Sequence, residues 1–147
     1  MSSGAISFIM NEGLLLDTCA IIWMANRKQM SQAAMDAFKA LSNNGGMLCV
    51  SAMSAWEIGM LISRGRLSAT KDALPWFEDF VVAGDILVHE ATPAVLIDAA
   101  YLPEPLHRDP MDRIIIATAR KHDLTIITRD RAILAYGAAG HVKTLAC

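Results

Sequence analysis

Five short runs of the chain are apolar almost from end to end, at residues 14–16, 47–50, 86–89, 124–128 and 142–145. A strand with one wet face alternates apolar and polar side chains, whereas a strand covered on both faces has no need to. Helical patterns fill the intervals, at 31–41, 51–63, 70–82, 93–101, 110–122 and 131–136. In the first of these Met35, Phe38 and Leu41 share a face, and Asn43, Asn44, Gly45 and Gly46 end it. Ser51 opens the second, and Pro75 is tolerable in a first turn. Buried strands alternating with helices predict an α/β fold, a three-layer α/β/α sandwich around a mainly parallel sheet. With no repeat, linker or low-complexity segment, residues 1–147 read as one domain, long enough for a continuous core.

Hydrophobic residues make up 54 % of the chain and mean hydropathy is +0.35, which raises the question of a membrane. The longest uncharged stretch, 40–56, contains Asn43, Asn44, Gly45, Gly46 and three serines, which is no spanning helix. MSSGAISFIM at the start has no basic residue and no long apolar segment, so no secretory signal is expected. The odd set Cys19, Cys49 and Cys147 has no metal-type spacing and reads as reduced thiols of a cytoplasmic protein. A net charge of −2 gives no general attraction to nucleic acid; any such binding needs a local basic patch.

In open parallel sheets ligands bind beyond the carboxyl ends of the strands, where strand order reverses. Five acids fall at strand ends or helix starts: Asp17, Glu57, Asp109, Asp112 and Asp130. Several have a purely local reading. Asp109 before Pro110 suits a helix cap, with Asp112 in the first turn favoured by the helix dipole, and Asp130 suits a cap for the helix at Arg131. Glu57 closes a capping box if that helix starts at Ser54, but not if Ser51 is its cap. Asp17 has the weakest local explanation, with no cap or partner near it in sequence. One shared edge for all five is left unexplained by caps.

Crowded carboxylates repel unless a cation sits among them, and oxygen donors suit Mg²⁺ or Mn²⁺ better than zinc. The chemistry indicated is metal-assisted phosphoryl transfer or phosphodiester hydrolysis. His107 and His122 read as surface or helix-end residues, Cys19 as a small buried side chain, and Trp56 and Trp76 as core.

Four segments, LLLDTCAIIW, VSAMSAWEIGMLISRGRL, HRDPMDRIIIATA and LTIITRD, occur in an order and spacing that resembles PIN-domain ribonucleases, in particular the VapC-like toxins of toxin–antitoxin systems. The resemblance spans roughly residues 14 to 145. It implies the parallel-sheet sandwich, Mg²⁺- or Mn²⁺-dependent endonucleolytic cleavage of RNA, a homodimer and a cognate antitoxin. The family's acidic quartet, catalytic and metal-binding together, falls on Asp17, Glu57, Asp112 and Asp130. Asp109 belongs to the HRDP form of the motif as an accessory acid, and Thr128 matches a polar position beside the last acid. Two positions depart from the pattern: Cys19 stands where relatives often carry histidine, and Leu61 where many carry lysine. Candidates for phosphate contacts are Arg64, Arg66, Arg108, Arg113 and Arg129, with Arg113 alternatively pairing with an acid. Two other classes stay open. One is a non-catalytic interaction module on this fold. The other is a phosphatase or receiver-type phosphoryl-transfer domain, against which stand Cys19 in place of a second Asp and the lack of a lysine after the last acid.

Overall fold

A computed structural model describes residues 13–147, so the ten residues read for a secretory signal lie outside the described part. Strands β1 (Gly13–Leu16), β2 (Leu48–Ser51), β3 (Leu87–His89), β4 (Leu124–Thr128) and β5 (Lys143–Ala146) form one sheet in the order β3-β2-β1-β4-β5. Every pairing is parallel. The chain winds outward from β1 to β3, returns to β4 on the other side of β1, and continues to β5. The reversal therefore lies between β1 and β4, where a parallel sheet opens a crevice at its carboxyl edge.

Seven helices are found among the described residues: α1 (Thr18–Ala25), α2 (Gln32–Asn43), α3 (Ala52–Ser63), α4 (Ala73–Ala83), α5 (Pro93–Ala100), α6 (Pro110–His122) and α7 (Arg131–Ala138). Alternate strand side chains point to opposite faces, and two cores result. Leu15, Cys49 and Ile126 face Val95, Ile115, Ile116 and Ile133 from α5, α6 and α7. Leu14, Leu16, Val50 and Ile127 face Ile21, Ala34, Ile58 and Phe77 from α1 to α4. This is the expected three-layer sandwich.

Helix α6 carries an unbroken buried stretch from Arg113 to Ala119, which makes it the central helix of its layer. The sequence reading lacks α1. Thr-Cys-Ala-Ile-Ile-Trp-Met-Ala is apolar around its whole circumference, so it shows no helical period to read. Helix α4 begins three residues later than expected, with Asp72 extended at its N-cap and Pro75 still inside the first turn, whose N–H groups have no helical partner anyway. No helix among the described residues is long and apolar enough to cross a membrane.

Candidate active site

The register of the two central strands fixes the first acid. Leu16 pairs with Ile127, so Asp17 follows β1 directly beside Thr128 at the end of β4. Asp17 also starts α1: its Oδ1 accepts from the Ala20 N–H at 2.8 Å, and its other oxygen accepts from the Thr128 hydroxyl. Asp17 is therefore a helix cap after all, which corrects the reading that it had no local partner; the missing helix hid the cap. The Thr128 hydroxyl is wholly buried and accepts in turn from the Asp130 N–H at 3.0 Å. One hydroxyl thus ties the first acid of the edge to the last. Each Asp17 oxygen keeps a lone pair beyond these bonds. Burial raises the Asp17 carboxyl above its ordinary pKa against the pull of its two hydrogen bonds, and the charges of Asp130 and Glu57 raise it further.

Asp130 caps α7 through Oδ1, which accepts from Ile133 N–H at 3.0 Å, and leaves its second oxygen outside the cap. Asp109 caps α6, its Oδ1 accepting from the Met111 and Asp112 N–H groups at 2.9 and 3.4 Å. Asp112, in the first turn of α6, caps nothing. Its carboxyl is pushed up to about 7 by burial first, then by the charges of Asp130 and Asp109, with His107 pulling the other way. Glu57 lies in the second turn of α3, because Ser51 is the cap and accepts from Met53 N–H at 3.1 Å. Ser54 instead receives a hydrogen bond from Thr18 at 2.9 Å, so the capping-box account of Glu57 fails.

Asp17, Glu57, Asp112 and Asp130 thus come together from four separate segments. Cys19 registers all four: its thiol is pushed up to about 11, first by burial of the sulfur and then by these carboxylates. Its residue is nonetheless exposed, at the rim of the acidic cluster rather than in the core as its small apolar character suggests. The donor set fits a hard divalent ion: oxygen atoms from several elements, with the Asp17 and Asp112 carboxyls raised first by burial and then by neighbouring charge. Ligand atoms of His107, Asp112 and Asp130 lie within 4.8 Å of one another, so His107, at the surface as expected, also reaches this cluster.

The arginines divide. Arg64 and Arg66 follow the carboxyl end of α3, about 10 Å along that helix from Glu57. Arg113 is buried, its guanidinium spent on backbone carbonyls: Nε donates to Ala99 at 2.8 Å, Nη1 to His107 at 3.1 Å and, more weakly, to Leu106, and Nη2 to Ala100. Glu104, the acid beside it, is 3.8 Å away and exposed. Arg113 is thus a structural clamp on the segment before α6, not a phosphate contact. Arg113→Met is expected to cost on the order of 2 kcal/mol or more, because the buried carbonyls lose their donor. Urea unfolding checks it; an unchanged midpoint with weakened RNA binding restores the phosphate role. Arg108 is exposed one residue before Asp109. Arg129 lies beside Asp130, its guanidinium 3.9 Å from the Trp23 ring centre and its Nε donating to the Cys147 carbonyl at 3.0 Å. Trp56 also departs from expectation. It is 57 % exposed, because the buried positions of α3 are Ser54 and Ile58, two residues to either side and nearly opposite on the helix. Trp76 packs against the core and stacks on Phe80.

The model of the PIN domain family matches residues 14–138. Ribonuclease VapC22 of Mycobacterium tuberculosis is 31 % identical over 121 residues, which are 82 % of this chain and 88 % of the relative. Among solved structures, VapBC2 from Rickettsia felis bound to a promoter DNA fragment superposes with a TM-score of 0.68 at 13 % identity, covering 92 % of this chain and 98 % of that one. A toxin–antitoxin complex from Klebsiella pneumoniae superposes with a TM-score of 0.54 at 18 % identity, covering 83 % and 90 %. At these identities the two structures speak for the fold.

Proposed function

The chain belongs to the PIN domain family, and on that premise we propose that it is a Mg²⁺- or Mn²⁺-dependent endoribonuclease toxin, a single-domain cytoplasmic protein neutralised by a cognate antitoxin. The observation that carries the reading is the convergence of Asp17, Glu57, Asp112 and Asp130 where strand order reverses, with the carboxyls of Asp17 and Asp112 raised first by burial and then by neighbouring carboxylates, Asp130 acting on both. Structural buttressing explains the caps at Asp17, Asp109 and Asp130, but not Glu57 and Asp112, which cap nothing.

In this reading the four acids hold the ion, which when bound supplies positive charge to the scissile phosphate and acidifies water. Thr128 fixes the angle of Asp17 and the start of the Asp130 loop together. Asp109 sets the first turn of α6 and so the direction of Asp112. With its carboxyl pushed up to about 7, Asp112 is partly protonated near neutral pH in the metal-free protein and gives up that proton on cation binding, so binding releases protons. In this reading Arg108 and Arg129, next in sequence to Asp109 and Asp130, are the basic side chains assigned to RNA phosphates. The homodimer and the antitoxin follow from the family resemblance; an arginine or lysine from the antitoxin is chemically suited to enter the acidic cluster.

The test is cleavage of RNA by metal-stripped protein, with and without Mn²⁺, for the wild type and Asp17→Asn. Mn²⁺ should restore cutting and raise the melting temperature of the wild type, with a gain of about 2.7 kcal/mol at a hundred times the dissociation constant. Asp17→Asn should fold, because the amide oxygen can still cap α1, yet fail to cut. A non-catalytic module would show no Mn²⁺ shift, and Asp17→Asn that cuts like the wild type removes the mechanism.

A further inference from the structure

The segment HRDPMDR contains more hydrogen bonding than a helix cap needs. The Asp109 backbone N–H donates to Nδ1 of His107 at 3.2 Å, while Nε2 of the same ring lies 3.2 Å from Asp112 Oδ2. A backbone N–H can only donate, so Nδ1 must present its lone pair and the ring proton sits on Nε2. Nε2–H then points at the carboxylate. The backbone that carries the ring is held from behind, since the buried Arg113 guanidinium donates to the His107 carbonyl at 3.1 Å. Asp109 closes the loop by capping the turn that carries Asp112. Backbone, ring and carboxylate form one chain of donors that ends on Asp112.

We propose that His107 is a positioning residue: as an Nε2–H donor it fixes one oxygen of Asp112 and leaves the other aimed at the shared metal position. The inference rests on the metal-dependent reading above and deepens it. It also decides between two uses of the ring. His107 lies within ligand distance of Asp112 and Asp130, so direct coordination through Nε2 is the competing role. Coordination would need the lone pair on Nε2 and the proton on Nδ1, where it would face the Asp109 N–H, donor against donor. The loop would have to break that contact to offer Nε2 to an ion. Donors of this kind, one bond removed from the metal, orient the ligand and sharpen its affinity.

Three measurements test it. Nitrogen-15 NMR of the metal-free protein should show His107 with its proton on Nε2; a proton on Nδ1 overturns the proposal. Calorimetric Mn²⁺ binding should be weakened about 10- to 100-fold in His107→Ala. His107→Gln, whose amide nitrogen can stand near the place of Nε2, should recover most of that loss, and both variants should melt close to the wild type. His107→Ala binding Mn²⁺ like the wild type overturns the proposal while the metal-dependent reading stands. Failure of His107→Gln to recover any affinity favours direct coordination and overturns it as well. A wild type that binds no Mn²⁺ removes the functional reading itself, and this inference with it.

Discussion

Asp112→Asn is expected to yield a folded protein that has lost metal-dependent cleavage, while Asp109→Asn, three residues earlier, keeps most of it. The two acids stand at the same helix start but do different work. Asp109 uses Oδ1 as an acceptor for the N–H groups of Met111 and Asp112, and an asparagine oxygen accepts equally well. Its charge is replaceable; its acceptor is not, so Asp109→Ala should cost about 1 kcal/mol of stability. Asp112 accepts no helix N–H. It faces Asp130 and Asp17 across the strand ends, and a neutral amide there is a poor ligand for a hard cation. Metal charge stabilisation of a phosphoryl transition state is worth several kcal/mol, so losing a ligand should lower the cleavage rate by about a thousandfold or more. His107 can still donate to the asparagine oxygen, which argues that the fold survives. Cleavage rates and melting temperatures for the Asn and Ala variants at both positions decide the matter. Active Asp112→Asn alongside inactive Asp109→Asn would reverse the assignment.

The division within HRDPMDR shows what kind of information the sequence carries. The sheet was legible because burial on both faces leaves strands without polar alternation, and the edge was legible because parallel strands all end on one side. Helix α1 was not, because an all-round apolar helix has no period, and with it went the capping bond of Asp17. Arg113 illustrates a further limit. A charge next to an acid reads as solvent-facing, and only the path of the 99–107 segment brings its carbonyls around the guanidinium. Trp56 fails for the opposite reason. Hydrophobicity alone places it inside, but its angular position on α3 relative to Ile58 places it outside. The role of His107 depends on the sense of a single backbone hydrogen bond, which no residue pattern encodes.

The metal-free protein is expected to lose stability as pH rises from about 4 to about 7, against the common trend for paired carboxylates. Asp112 has its pKa raised from 3.8 to about 7, and burial raises Asp17 as well. Between those two values the native state holds protons that the unfolded chain has already released. The slope of unfolding free energy with pH follows protons bound in the unfolded state minus those in the native, so it is negative in this window. Below about pH 4 both states are protonated and the penalty vanishes; above about pH 7 both are ionised and it is complete. Its size for Asp112, whose side chain is 20 % exposed, is on the order of a few kcal/mol. His89 acts in the opposite sense, since burial and then the stacked His122 lower its pKa below 6.5, so its contribution grows with pH in the acid range. Comparing the wild type with Asp112→Asn removes that background. In EDTA the stability advantage of Asp112→Asn should grow from pH 4 to pH 7 and then level off, and saturating Mn²⁺ should reverse it at pH 8. Parallel pH profiles for the two proteins in EDTA would mean that neither burial nor neighbouring charge raises Asp112. Wild-type stability regained with Mn²⁺ at pH 8 ties the cost of crowding these acids to the ion that relieves it.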